Sequence, residues 1–173
     1  MRKALIAAVL SLLAVSALPG IRAGASDVIY SCAVRERKIA LTFDDGPHPT
    51  HTDEILDILS EYHVKATFFL VGENAEWYPE IVEREAREGH ELGNHSYSHA
   101  DLGRASGETV CREIDRCEEA IWENFEYRTH LLRPPGGCCG DALAKAAADR
   151  DYTLVCWSVD TRDWTHPPIE RIV

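Results

Sequence analysis

From Lys38 onward, short apolar runs alternate with segments of helical periodicity, and the links between them are only a few residues long. Strands that alternate with helices across short links must run parallel, so this pattern constrains the fold more than any other feature. "KIALTF" reads as the first strand, and "THTDEILDILSEYH" follows with Ile55, Leu56, Ile58, Leu59 and Tyr62 at helical spacing. "VKATFFLVG" is rich in aromatic and β-branched residues and reads as the second strand. "YPEIVEREAREG" has Pro79 in its first turn and Gly89 as its stop. A third strand, "HELGNH", precedes the longest helix, "SGETVCREIDRCEEAIWENF", where Val110, Ile114, Cys117 and Ile121 form one stripe. "HLLR" is a fourth strand, "GDALAKAAADR" an Ala-rich helix and "YTLVCWSVD" a fifth strand.

An open doubly wound sheet and a β/α barrel both satisfy this order. The polar clusters favour the barrel, because each follows a different strand: "DDGP" the first, "NHSYSH" the third, "RPPGG" the fourth and "DTRDW" the fifth. Barrel enzymes assemble their sites from many strand ends, whereas an open sheet gathers ligand groups at one switch point.

The first 25 residues stand apart. Arg2 and Lys3 precede the uncharged run Ala4 to Leu18, and small residues follow at Ala23 and Ala25. This order reads as a secretory signal cleaved after Ala25, with residues 26–173 as a single domain. The alternative is an uncleaved anchor, but the apolar run is 15 residues long, short of the roughly 18 to 20 that span a bilayer. Stable membrane insertion after cleavage is not expected, and the product is secreted or held at the cell surface. Cleavage removes Arg2, Lys3 and Arg22 and no acid, which moves the net charge of −11 three units further negative. So acidic a surface excludes nucleic acid as a partner, and it disfavours an anionic substrate unless a bound cation supplies positive charge. Export permits disulfides among the six cysteines, but no CxxC pair marks a zinc framework and the pairing is open.

The clusters themselves suggest metal-assisted hydrolysis. Successive side chains near a strand end diverge, so Asp44 and Asp45 can serve two tasks, one binding a cation and the other accepting a proton; Asp-Asp before Gly-Pro is also ordinary turn chemistry. His95 and His99 are four apart, which on a helical turn brings two imidazoles to one ion. Two His and one carboxylate, with positions left open for water, make a catalytic set rather than a structural one. Arg133 heads a stiff Pro-Pro segment and is placed to pair with Asp44. Trp164, in the last cluster with Asp160 and Asp163, suits sugar stacking at a barrel mouth.

Taken together, "TFDDGP" (42–47), "HSYSH" (95–99), "RPPGG" (133–137) and "DTRDW" (160–164) resemble the motifs of the polysaccharide deacetylases, the NodB-homology members of carbohydrate esterase family four. The resemblance covers nearly the whole chain after residue 25. It implies a distorted β/α barrel of about seven strands, in which Asp45, His95 and His99 bind one divalent ion, zinc or a related metal. Asp44 is then the general base, Arg133 its orienting partner and the Gly136 N–H a donor to the oxyanion. Asp163 tunes a His general acid that lies, in such enzymes, in a Leu-x-His motif further along. The chain reaches "IERIV" before such a motif and after five strands, so a fragment lacking the last strands is expected, and His166 does not match the position of the missing acid. The implied activity is removal of N-acetyl groups from cell-wall glycan, most simply peptidoglycan N-acetylglucosamine, with chitin oligomers or acetylated xylan in the same class. A non-catalytic glycan-binding protein on the same scaffold is the alternative, and a metal-dependent phosphoesterase is a weaker one, since that class uses two metals and more ligands.

Overall fold

The computed structural model describes residues 28–172, apart from the side chains of residues 124 and 125. The expected signal segment, residues 1–25, lies outside the described residues. In chain order the elements are β1 (Thr42–Gly46), α1 (His51–Glu61), β2 (Thr67–Leu70), α2 (Gly72–Trp77), α3 (Pro79–Arg87), β3 (Glu91–Asn94), α4 (Gly107–Phe125), β4 (Leu131–Leu132), α5 (Asp141–Ala148) and β5 (Thr153–Leu154).

All four strand pairings are parallel and the sheet order is β1-β2-β3-β4-β5. The order never reverses, so the sheet has no switch point of the doubly wound kind. Sequential parallel strands with right-handed crossovers are the β/α-barrel arrangement; here the five strands form an open sheet.

The four helices read from the sequence, α1, α3, α4 and α5, form where their ends and stripes predict, whereas α2 begins at Gly72, where the sequence reads as the end of the second strand. Ser106 caps α4 by accepting the Thr109 N–H at 3.2 Å. Along α4, Val110, Ile114, Cys117 and Ile121 are fully buried, as the stripe requires. Pro79 opens α3, and Gly89 at φ +80 closes it with N–H bonds from Gly89 to Ala86 and from His90 to Glu85. One core joins the helices to Phe68, Leu70 and Leu92 of the sheet, and a second gathers Leu102, Val110, Ile114, Leu132, Leu143 and Leu154. On the opposite face of β2, Phe69 is buried because Gly93 of β3 leaves room: a Cβ at Gly93 would stand 2.5 Å from the Phe69 ring.

Every strand departs from its expected span: β2 keeps Thr67–Leu70 of residues 64–72 and β3 keeps Glu91–Asn94 of residues 90–95. β1 begins at Thr42 rather than Lys38, because β2 offers a ladder only from Thr67, the partner of Thr42; Ile39 and Leu41 are left exposed. β4 shrinks to Leu131–Leu132 ahead of Pro134 and Pro135, which have no N–H to donate. β5 keeps only Thr153–Leu154, extended by a single bridge from Val155 to Ile29, and the chain beyond Cys156 leaves the sheet.

Candidate active site

Parallel strands put all their C-terminal ends on one edge, and that edge carries the charged cluster. Alternation along β1 sends Thr42 and Asp44 to one face. Arg133, the first residue after β4, meets both there: its Nη1 donates to Thr42 Oγ1 at 2.8 Å and to Asp44 Oδ1 at 2.6 Å. Its Nε donates to the Val155 carbonyl at 3.3 Å and its Nη2 to the Cys156 carbonyl at 3.1 Å. The guanidinium carbon sits 4.0 Å from the centre of the Phe69 ring. With the Arg133 side chain only 3% exposed, the fork is locked from every side, and one of its bonds is to Asp44.

Asp45 turns the other way. Its backbone is left-handed, at φ 66, a rare state for a residue with a side chain. Asn74 holds it there by donating Nδ2–H to the Asp45 carbonyl at 2.8 Å. Asp45 Oδ1 then lies 3.3 Å from His95 Nε2 and 3.1 Å from His99 Nε2, while Asp44 Oδ2 stands 4.0 Å from His95 Nε2.

The two imidazoles converge, but not on a helical turn. Residues 95–99 form an irregular bend in which Ser96 (φ 66) and His99 (φ 56) are left-handed. Side chains take the amides that a helix would bond internally. Asn94 Oδ1 accepts the Ser96 N–H at 3.0 Å, and Glu113 Oε2 of α4 accepts the Ser98 N–H at 2.8 Å and the Ser98 hydroxyl at 3.0 Å. The rings meet edge-on, with centres 5.3 Å apart.

The donor set fits a divalent cation. His95 Nδ1 lies 2.7 Å from the Arg133 carbonyl, which can only accept, so Nδ1 carries the proton and Nε2 faces Asp45. A ring nitrogen and a carboxylate 3.3 Å apart are mutually favourable only with a second proton or a cation between them. One ligand atom from each of Asp45, His95 and His99 lies within 4.8 Å of the others, which suits a one-carboxylate, two-imidazole site with open positions. The hydrogen bond with His95 lowers the Asp45 carboxyl below its ordinary value, the charges of both rings add to this, and burial opposes it.

The remaining sequence-derived residues sit differently. Gly136 lies in the 3₁₀ turn Pro135–Gly137 at φ +68, a backbone state that favours glycine. Asp163 and Trp164 lie in an exposed 3₁₀ turn, where Asp163 accepts the Thr161 hydroxyl at 2.8 Å and the Arg162 guanidinium lies 5.8 Å from the Trp164 ring. Among the described residues, neither side chain makes a hydrogen bond, ion pair or ring contact with the Asp-His-His cluster.

The model of the family described as "Polysaccharide deacetylase" matches residues 32–155. The chain belongs to the polysaccharide deacetylase family. Relatives within the family include a peptidoglycan-N-acetylglucosamine deacetylase of Bacillus cereus, 44% identical over 135 residues, covering 78% of this chain and 49% of that protein. A chitooligosaccharide deacetylase of Sinorhizobium fredii is 39% identical over 136 residues, covering 78% and 63%. The chain thus spans about half the length of the first relative and less than two thirds of the second. Among solved structures, a peptidoglycan N-acetylglucosamine deacetylase in complex with an N-oxidanyl-benzamide superposes with a TM-score of 0.81 at 41% identity, covering 84% of this chain and 68% of that one. A family pseudoenzyme from Bacillus anthracis superposes with a TM-score of 0.80 at 26% identity, covering 85% and 52%. The open parallel sheet described above therefore has the fold of the polysaccharide deacetylases, the distorted β/α-barrel type.

Sequence reasoning missed the supports of this site. Asn74 holds the Asp45 backbone, Thr42 accepts from Arg133, and Asn94 and Glu113 hold the bend between His95 and His99 through Ser96 and Ser98. A signal existed for Glu113 alone: it falls beside Ile114 on the apolar stripe of α4, where a carboxylate needs a partner.

Proposed function

We propose that this chain carries the active site of an exported, metal-dependent deacetylase that hydrolyses N-acetyl groups of a cell-wall glycan, most simply the N-acetylglucosamine of peptidoglycan. The observation that carries this reading is the division of labour between adjacent carboxylates: Asp45 faces both imidazoles, while Asp44 is held by a buried Arg133. The substrates in the relatives' names, peptidoglycan N-acetylglucosamine and chitooligosaccharide, support an N-acetylated glycan. The positive start and short apolar run of residues 2–18 support export.

Asp45, His95 and His99 would hold the ion, and zinc suits this ligand set. When bound, a divalent ion supplies Lewis acidity toward a carbonyl oxygen and a water. Asp44 takes the proton of the attacking water, with Arg133 fixing the carboxylate so that Oδ2 is the oxygen presented. The N–H of Gly136 donates to the oxygen that gains charge as the amide is attacked. Trp164 offers an exposed ring to a sugar face, and Asp163 is assigned to tuning the group that returns a proton to the leaving amine.

Acetate release from peptidoglycan and chitin oligomers, measured with and without chelator, tests the reading. Chelator-sensitive release is the expected result. The pseudoenzyme neighbour favours one second reading, a glycan-binding protein without turnover; metal uptake and glycan binding with no acetate released would establish it instead.

A further inference from the structure

Three of the six cysteines lie on or beside the segment that carries Arg133 and Gly136. Cys138 and Cys139 follow the Pro135–Gly137 turn, and Cys156 follows β5 and lends its carbonyl to Arg133. Cys139 Sγ and Cys156 Sγ approach the same acceptor, the Gly137 carbonyl oxygen, at 3.9 and 3.8 Å, which brings the two thiols to one side of a single main-chain atom. The acceptor is held in place: Gly137 has φ +70, and a Cβ there would stand 2.9 Å from Trp157. Cys138 packs its Cβ against Gly103, where an added Cβ would approach it to 2.5 Å. Cys139 is exposed and Cys156 is buried, so an incoming reagent meets Cys139 first, with Cys156 behind it.

We propose that Cys139 and Cys156 are an oxidisable pair that closes to a disulfide and ties the Arg133–Gly140 segment to the end of β5. The oxidant is a small-molecule disulfide. The Cys139 thiolate attacks one of its sulfurs, forming a mixed disulfide and releasing one thiolate. The Cys156 thiolate then attacks Cys139 Sγ, closing the protein disulfide and releasing the second. Two electrons pass to the reagent, and the two protons lost by the protein go to the released thiolates. Burial and the neighbouring Cys139 push the Cys156 thiol up to about 12, so closure accelerates as pH rises through the alkaline range. The inference is independent of the proposed catalysis, because its readouts involve no turnover.

The test is to incubate the full chain with oxidised glutathione or with dithiothreitol, alkylate, digest and map the peptides by mass spectrometry. Wild type and Cys138→Ser should both yield a Cys139–Cys156 crosslink under oxidation, reversed by dithiothreitol, with a rise in Tm on oxidation. Cys139→Ser should yield neither the crosslink nor the rise. Full alkylation of Cys156 after oxidation, a crosslink from Cys156 to any other cysteine, or loss of the crosslink in Cys138→Ser would overturn the proposal; the wild-type map decides even where a variant folds poorly.

Discussion

The rim built by β1, the 95–99 bend and Arg133 differs in kind from the stretch after Cys156. In the rim, each functional side chain is tied to a residue far away in sequence: Asp44 to Arg133, the Asp45 backbone to Asn74, and the 95–99 bend to Glu113 on α4. After Cys156 the bonds are local, such as Thr161 to Asp163 and Arg162 to Asp160, and Trp164 is exposed. A geometry held by hydrogen bonds that cross the fold, two of them partly buried, is set before any ligand arrives. One held by exposed neighbours costs little to rearrange, so the two regions should respond differently to substitution.

The largest expected effect is on turnover. Asp44→Asn should keep metal binding and lower kcat by about 10²- to 10⁴-fold, the usual range for a general base; acetate-release kinetics beside metal analysis check this. Retained turnover would remove Asp44 from the proposed mechanism. Next, His99→Ala should weaken metal affinity by more than about 100-fold in titration calorimetry, because a ligand lost costs more than an outer partner.

Beneath the rim, Glu85 of α3 is fully buried, and neither carboxylate oxygen has a partner among the described residues. Burial raises its pKa to about 8. An acid whose folded pKa lies above its unfolded one favours the folded state most at low pH, and this contribution is lost as pH rises from about 4.5 to about 8. Urea unfolding of wild type should therefore show stability falling across that window by on the order of a few kcal/mol. Glu85→Gln should flatten the slope, and an unchanged slope would exclude Glu85 as its source.

Asn74→Ala sharpens the comparison further, since it removes a support and no ligand. Metal affinity should fall by about 10-fold. The smallest expected effect falls in the other region: Asp163→Ala should leave metal affinity within about twofold, as an exposed, locally bonded side chain allows. A large loss of affinity in Asp163→Ala would erase the distinction between the regions.

The charged members of the rim were legible because their chemistry is rare at strand ends. Adjacency marks Asp44 and Asp45, spacing marks His95 and His99, and a place at the head of the Pro-Pro segment marks Arg133; the structure brings all five together. The alternation from Lys38 likewise gave the order of all five strands, and the α4 stripe was read residue by residue. What escaped was decided by tertiary pairing. The His95–His99 bend looked helical because spacing says nothing of left-handed residues at Ser96 and His99. The starts and lengths of β1, β4 and β5 depend on where a neighbouring strand offers a ladder. Glu85 sits in "EREAREG", which reads as a solvated face until α3 is packed, and Asn74 acts across 29 positions with no periodic mark.

One residue touches both halves of the rim through different atoms. The Arg133 main chain meets His95, and the Arg133 side chain meets Asp44. The offset between imidazole and carboxylate is thereby inherited from the covalent frame of a single amino acid, so a sideways slip of β4 carries both together and leaves their separation unchanged. Shortening the side chain at position 133 would uncouple them, freeing the carboxylate while the ring keeps its tautomer.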